Sequence, residues 1–114
     1  DHPSFRGRVA FDTLRQEQAA WLKEVIRTPE MQKARYRVVF CHIPLRWIDE
    51  TAQDYAKGGF DRYSRRSRDA WHGALTRWKA QVIVSGHTHH TAGIPADRSH
   101  PYGQSVGGGM TWRL

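Results

Sequence analysis

The chain has 114 residues, enough for one small domain with a modest core and too few for two. Lysine and arginine number 18 against 11 acidic residues, and the resulting net charge of +7 favours anionic partners such as phosphate esters or nucleic acid. A single cysteine, Cys41, excludes an intrachain disulfide. No apolar run approaches the roughly 20 residues that span a bilayer, so no membrane partner is expected.

The first predicted element is an amphipathic helix from Phe11 to about Arg27. Asp12 is placed to cap this helix, and Pro29 is expected to stop it. The apolar residues that recur at helical spacing are Phe11, Leu14, Trp21, Leu22, Val25 and Ile26. The run "RVVFC" from Arg37 to Cys41 is β-branched and aromatic, which predicts a buried strand that ends at "HIP".

An irregular stretch from Leu45 to Phe60 follows, and its length is typical of a loop that sets substrate specificity. A second helix is predicted from about Ser64 to Lys79, where apolar residues fall at i, i+4 and i+7: Trp71, Leu75 and Trp78. Arginines crowd its first turns: Arg62, Arg65, Arg66 and Arg68. Cations oppose the helix dipole there, so they indicate either a solvated face or anionic partners.

A second strand is predicted from Gln81 to Ser85, directly before the motif "GHTHH". A third is predicted near Gln104 to Val106, and Met110 to Leu114 is a candidate for another. Because strand, helix and strand follow one another, we expect an α/β fold in which helices cover a sheet.

The histidines that follow the two strands are candidate metal ligands. His42 comes directly after the first strand, much as His87 follows the second. If these strands are parallel neighbours, both imidazoles emerge at the same carboxyl edge. In an extended backbone His87 and His89 face the same side about 6 to 7 Å apart, with His90 pointing away. That spacing suits two metal ions roughly 3.5 to 4 Å apart.

Other interpretations of the same residues stay open. A histidine after a strand, such as His42, is commonly a hydrogen-bonded structural residue. We interpret His2, His72, His90 and His100 as structural residues too, because His72 lies in a predicted helix and His2 and His100 precede prolines in turns. A basic nucleic-acid-binding module is an alternative function, although only composition favours it, so nucleic acid is an unlikely partner. A noncatalytic interaction domain with structural histidines is another.

The segments "VVFCHIPL" and, about forty residues later, "VIVSGHTHH" resemble the last two metal-binding motifs of the calcineurin-like metallophosphoesterases, which include the purple acid phosphatases. The helix "FDTLRQEQAAWL" is similar to the segment that precedes the isolated motif histidine in bacterial members of that family. The resemblance covers nearly the whole chain, and it implies that residues 1–114 are the C-terminal part of one metallophosphoesterase domain.

The resemblance implies a four-layer αββα sandwich with a dinuclear centre that hydrolyses phosphate mono- or diesters. It implies that His42 and His87 bind one metal and that His89 binds the other. The metals expected in an intact centre are iron, manganese or zinc. Arg46 and His90 are weaker candidates for binding the phosphate-ester substrate, as are Trp47 and Tyr55.

The sequence departs from the family's pattern in its first three motifs. Those motifs begin with Gly-Asp or Gly-Asn and supply the bridging aspartate, an asparagine and a histidine that assists catalysis, and none is found here. We therefore expect this chain to be the C-terminal half of such a sandwich, with little turnover alone. Three histidines are expected to hold at most one zinc or nickel ion. An uncovered sheet face predicts association with the missing N-terminal half or with a second copy.

Overall fold

A computed structural model describes residues 11–46 and 65–108 of the chain. This part is a small mixed α/β domain, so the predicted α/β class is confirmed. Its helices are α1 (Phe11–Val25), α2 (Pro29–Lys33) and α3 (Arg65–Trp78). Its strands are β1 (Val38–Phe40), β2 (Val82–Ser85), β3 (Ala92–Ile94) and β4 (Gly103–Val106). None of these helices is both long and apolar enough to cross a membrane.

The four strands form one mixed sheet in the order β1-β2-β4-β3. β1 runs parallel to β2, with Val38 opposite Val82 and Phe40 opposite Val84. β2 also runs parallel to β4, whereas β3 is antiparallel to β4. The condition for a shared carboxyl edge, that the two histidine-bearing strands are parallel neighbours, is therefore met. The candidate strand from Met110 to Leu114 lies outside the described residues.

One face of the sheet packs against α1 and α3. Ile83 of β2 and Val106 of β4 are fully buried on this face. The core cluster is formed by Leu22, Ile26, Leu45, Ala74, Leu75, Trp78, Ala80, Ile83 and Tyr102. The apolar residues of each helix recur at helical spacing and form one stripe. This spacing predicts that α1 and α3 each turn one apolar side toward the sheet.

The opposite face of the sheet is apolar and exposed. Val38, Phe40 and Val82 retain 44%, 76% and 36% of their accessible surface. Successive side chains of a strand alternate between faces, and the register sets Val38 beside Val82, so these residues share one side. We name Val38, Phe40 and Val82 the open sheet face.

Pro29 begins a helix instead of simply ending one. Thr28 caps α2, and its hydroxyl accepts a hydrogen bond from the Met31 N–H at 3.4 Å. Proline suits the first turn of a helix because its fixed φ is helical and its missing N–H has no partner there. Pro29 therefore lies at the boundary between α1 and α2.

The end of α3 fixes where β2 starts. Lys79 has φ 60°, the left-handed conformation. The Ala80 N–H donates to the Leu75 carbonyl and the Lys79 N–H to the Thr76 carbonyl, which together form a Schellman cap. The Gln81 N–H then donates to the Arg37 carbonyl at 2.9 Å, so β2 begins beside β1.

Candidate metal centre

The hydrogen-bond ladder between β1 and β2 continues beyond the strands themselves. The Cys41 N–H donates to the Val84 carbonyl at 3.0 Å, and the Gly86 N–H donates to the His42 carbonyl at 3.1 Å. These two bonds hold the segments in register past the last strand residues. As a result, His42 and His87 leave the sheet at the same carboxyl edge.

The imidazoles of His42 and His87 meet at this edge. His42 Nε2 lies 3.2 Å from His87 Nδ1, and the ring centroids are 5.0 Å apart with an angle of 80° between the planes. His42 is exposed and His87 is half-buried, so the pair is open to solvent on one side. This arrangement can share one proton in an N–H···N bond or present two nitrogens to one cation.

The backbone around the histidine motif differs from the extended form that the sequence argument assumed. His87 has φ 68° and His89 has φ 58°, and both are left-handed. Few non-glycine residues adopt this conformation, although histidine does so more often than most. His87 and His89 therefore lack the alternating side chains of an extended strand, from which a separation of about 6 to 7 Å was expected. Strained backbone of this kind concentrates at functional sites.

His89 and His90 are both exposed beyond the pair. The His90 N–H donates to the Thr88 hydroxyl at 3.3 Å, which closes a tight turn. Within residues 11–46 and 65–108, no three or more His, Cys, Asp or Glu side chains are grouped to hold a metal. The structure therefore brings His42 and His87 together, while the assignment of His89 as a ligand stays a prediction.

Arg46 lies in an ion pair that the sequence did not indicate. Its Nη1 is 2.6 Å from Asp97 Oδ2, and its backbone exchanges hydrogen bonds with the Gln104 side chain. Hydrogen bonds from the His100 N–H and the Ser99 hydroxyl, with a smaller contribution from Arg46, lower the pKa of Asp97 to about 2. Asp97 is therefore ionised at neutral pH, and its carboxylate holds the Arg46 guanidinium in place. Trp47 and Tyr55, and most of the predicted specificity loop, lie outside the described residues.

Cys41 lies between the strand and His42 but is unsuited to act as a thiolate. Burial raises the pKa of its thiol to about 11. The thiol donates a hydrogen bond to the Ile43 carbonyl, with the sulfur 3.3 Å from the oxygen. A protonated thiol is a poor metal ligand and nucleophile, so Cys41 serves as a small packing residue here.

A second histidine cluster forms away from this edge. His72 Nδ1 is 2.6 Å from the Tyr102 hydroxyl, and the rings of His72 and His100 are 4.7 Å apart. The sequence interpretation of His72 and His100 as structural residues agrees with these contacts. The contact between His72 and His100 was not predicted, because the two residues are 28 positions apart in the chain and no local pattern joins them.

No family model matches the chain. No curated protein matches it significantly. The resemblance to metallophosphoesterases therefore depends on the motif residues alone.

Proposed function

We propose that this chain supplies histidine ligands to a divalent-metal centre that hydrolyses phosphate esters. The observation that supports the proposal is the 3.2 Å separation of His42 Nε2 and His87 Nδ1 at the edge of two parallel strands. Zinc binds imidazole nitrogen at about 2.0–2.1 Å, so two nitrogens on one tetrahedral ion lie about 3.3 Å apart. The observed separation is close to that value.

The donor set fits a first-row metal ion better than magnesium or calcium. Neutral imidazole suits zinc, iron and nickel, whereas hard cations prefer oxygen ligands. We propose two ions of iron, manganese or zinc in the intact centre, and one zinc or nickel ion for this chain alone. A bound ion would supply Lewis acidity toward the phosphoryl oxygens and a hydroxide nucleophile near neutral pH.

The residues of the chain have separate tasks in this proposal. His42 and His87 hold one cation, and the exposed His89 imidazole is available to a second. Arg46 and His90 lie on segments adjoining the pair and are proposed to bind the phosphate group. The net charge of +7 attracts such an anion from solution.

Three histidines are too few to fill the coordination of two metal ions, and residues 11–46 and 65–108 contain no group of three or more His, Cys, Asp or Glu side chains arranged to hold one, so the proposed centre needs further ligands. We propose that the N-terminal half of a metallophosphoesterase sandwich supplies them. The open sheet face supports this partner, because three exposed apolar residues on one side of a sheet favour a covering layer. Alone, the chain is proposed to have negligible turnover.

The proposal is tested by the metal content of the purified chain after incubation with zinc and removal of free ion. We expect about one equivalent in the natural sequence and in His90→Ala, and a background amount in His87→Ala. Hydrolysis of p-nitrophenyl phosphate is measured beside it, and negligible turnover is expected without a partner.

Background metal in all three proteins would contradict the proposal. That result would favour the noncatalytic alternative, in which His42 and His87 are joined only by an N–H···N bond. Steep salt dependence of RNA or DNA binding, together with no metal, would instead favour the nucleic-acid alternative. Sedimentation of the chain tests what covers the open sheet face, because it measures whether the chain is a monomer or a dimer. If the natural chain forms dimers and Phe40→Ser is monomeric, the covering layer is a second copy.

A further inference from the structure

The segment that follows β4 packs against the turn that carries the histidines. This turn, residues 86–91, connects β2 to β3 and includes His87 and His89, and we name it the histidine turn. Because β4 runs parallel to β2, Gly107 and Gly108 leave the sheet at the same carboxyl edge as the histidines. The two glycines therefore lie beside the candidate metal centre.

Both ends of the histidine turn are anchored by a hydrogen bond. At one end the Gly86 N–H donates to the His42 carbonyl at 3.1 Å. At the other end the Gly108 N–H donates to the Thr91 hydroxyl oxygen at 3.1 Å. The two histidines with left-handed backbone lie between these anchors. Such a backbone persists only where the surrounding structure holds it in place, so both anchors contribute to the conformation of the turn.

The close approach of Thr91 leaves no room for a side chain at position 108. A Cβ atom there would lie 2.7 Å from Thr91 Oγ1, well inside the roughly 3.5 Å of ordinary van der Waals contact. Thr91 would have to rotate or move, and either change breaks the bond from the Gly108 N–H. Gly107 differs, because a Cβ there would lie 3.7 Å from the Ser85 carbonyl oxygen. Neither glycine has a left-handed φ, so the backbone accepts alanine at both positions.

We propose that Gly108 is a positioning residue of the candidate metal centre. Through Thr91 it holds the histidine turn in the conformation that brings the His87 imidazole against that of His42. The importance of this role for metal binding rests on the function proposed above. The contact between the two imidazoles can be measured in EDTA, so the positioning role and the proposed centre can fail separately.

Four variants of the full chain test the proposal. Gly108→Ala introduces the clash, and Thr91→Val removes the hydroxyl that accepts the hydrogen bond while it keeps the shape of the side chain. Gly107→Ala is the matched control for the first variant. Thr91→Ser retains the hydroxyl and is the matched control for the second. All three positions are exposed, so thermal melting is expected to show that the four variants stay folded.

Two measurements are made on the natural chain and on each variant. Nitrogen NMR spectra of the imidazoles, recorded in EDTA, report the surroundings of His42 Nε2 and His87 Nδ1. Calorimetric titration with zinc reports the metal affinity. We expect Gly108→Ala and Thr91→Val to shift the two nitrogen signals and to weaken zinc binding about three- to tenfold, the effect of losing one hydrogen bond. The two control variants should match the natural chain in both measurements.

Unchanged nitrogen signals in Gly108→Ala or in Thr91→Val would overturn the inference, and so would an equal shift in Gly107→Ala. Shifted signals without zinc binding to any of the proteins would support the positioning role and refute the proposed centre. Equal zinc binding by all of the proteins, together with unchanged signals, would refute the positioning role and leave the proposed centre standing.

Discussion

The Nδ1 atom of His72 lies 2.6 Å from the hydroxyl oxygen of Tyr102, and this contact joins α3 to the segment that leads into β4. Tyr102 is almost completely buried, and burial raises the pKa of its hydroxyl to about 12. The tyrosine therefore stays neutral at all ordinary pH values. The titrating member of the pair is His72.

Acid is expected to weaken the domain through His72. Burial, and secondarily the nearby His100, lowers the pKa of His72 below its usual 6.5, while Asp69 acts in the opposite sense. A group whose pKa is lowered by folding contributes stability above its unfolded pKa and loses it as the pH falls. We therefore expect the melting temperature to drop between pH 7 and pH 5.

His72→Gln is the informative variant for this pH dependence, because glutamine retains polar atoms for Tyr102 but carries no charge. Its melting temperature should change less over the same interval than that of the natural sequence. His90→Gln is the control, since that imidazole is exposed. A slope in His72→Gln as steep as in the natural chain would show that another group is responsible.

Asp97→Ala is expected to lower the melting temperature at pH 7. The carboxylate accepts hydrogen bonds from the Ser99 and His100 N–H groups at 2.8 Å and pairs with Arg46. Because folding lowers the pKa of Asp97 to about 2, its contribution is present above about pH 3.8 and is lost as the pH falls through about 2. Melting curves at pH 7 and pH 2 should therefore differ between Asp97→Ala and the natural chain at the higher pH only. Glu17→Ala, at an exposed position of α1, should show no such difference.

Cys41 is expected to react slowly with iodoacetamide in the folded protein. Folding raises the pKa of its thiol from 9.0 to about 11, which leaves about a hundredfold less thiolate at pH 8. Mass spectrometry of timed samples measures the rate, with the chain in guanidinium chloride as the reference. Similar rates in the two conditions would mean that the thiol is not shielded as the structure shows.

Lys79→Gly is expected to stabilise the domain by about 0.5–1 kcal/mol. Lys79 holds the left-handed position of the Schellman cap, where glycine carries no Cβ penalty. Lys79→Ala keeps the Cβ and removes the same charge, so it should bring no comparable gain. Urea unfolding of the three proteins measures the free energies, and equal gains in both variants would assign the effect to charge.

The regular elements with strong periodicity were predictable from the sequence. The helix predicted from Phe11 to about Arg27 corresponds to α1, and the one predicted from about Ser64 to Lys79 corresponds to α3. α2 was not predicted, because Pro29 was interpreted only as a stop signal. β3 was not predicted either, since Ala92, Gly93 and Ile94 show no alternation and are ordered by pairing with β4.

Only one part of the candidate site was predictable from the sequence: the position of its histidines at the ends of two strands. Two histidines at the carboxyl ends of parallel strands had to share an edge, and His42 and His87 do so. The left-handed backbone of His87 and His89 could not be predicted, because non-glycine residues rarely have a positive φ and the residue type does not mark where they do. The ion pair of Arg46 with Asp97 is a long-range contact between two loops, and no local pattern encodes it.

The parallel pairing of β1 with β2 also determines when the edge can form during folding. His42 and His87 are 45 positions apart, and β1 reaches β2 only through a crossover that includes α3. Closing such a long connection costs entropy before any contact compensates for it, whereas β3 and β4 are joined by a short connection. We expect the β3–β4 hairpin to form early and the two imidazoles to meet late, so the candidate site is assembled only once the crossover has closed.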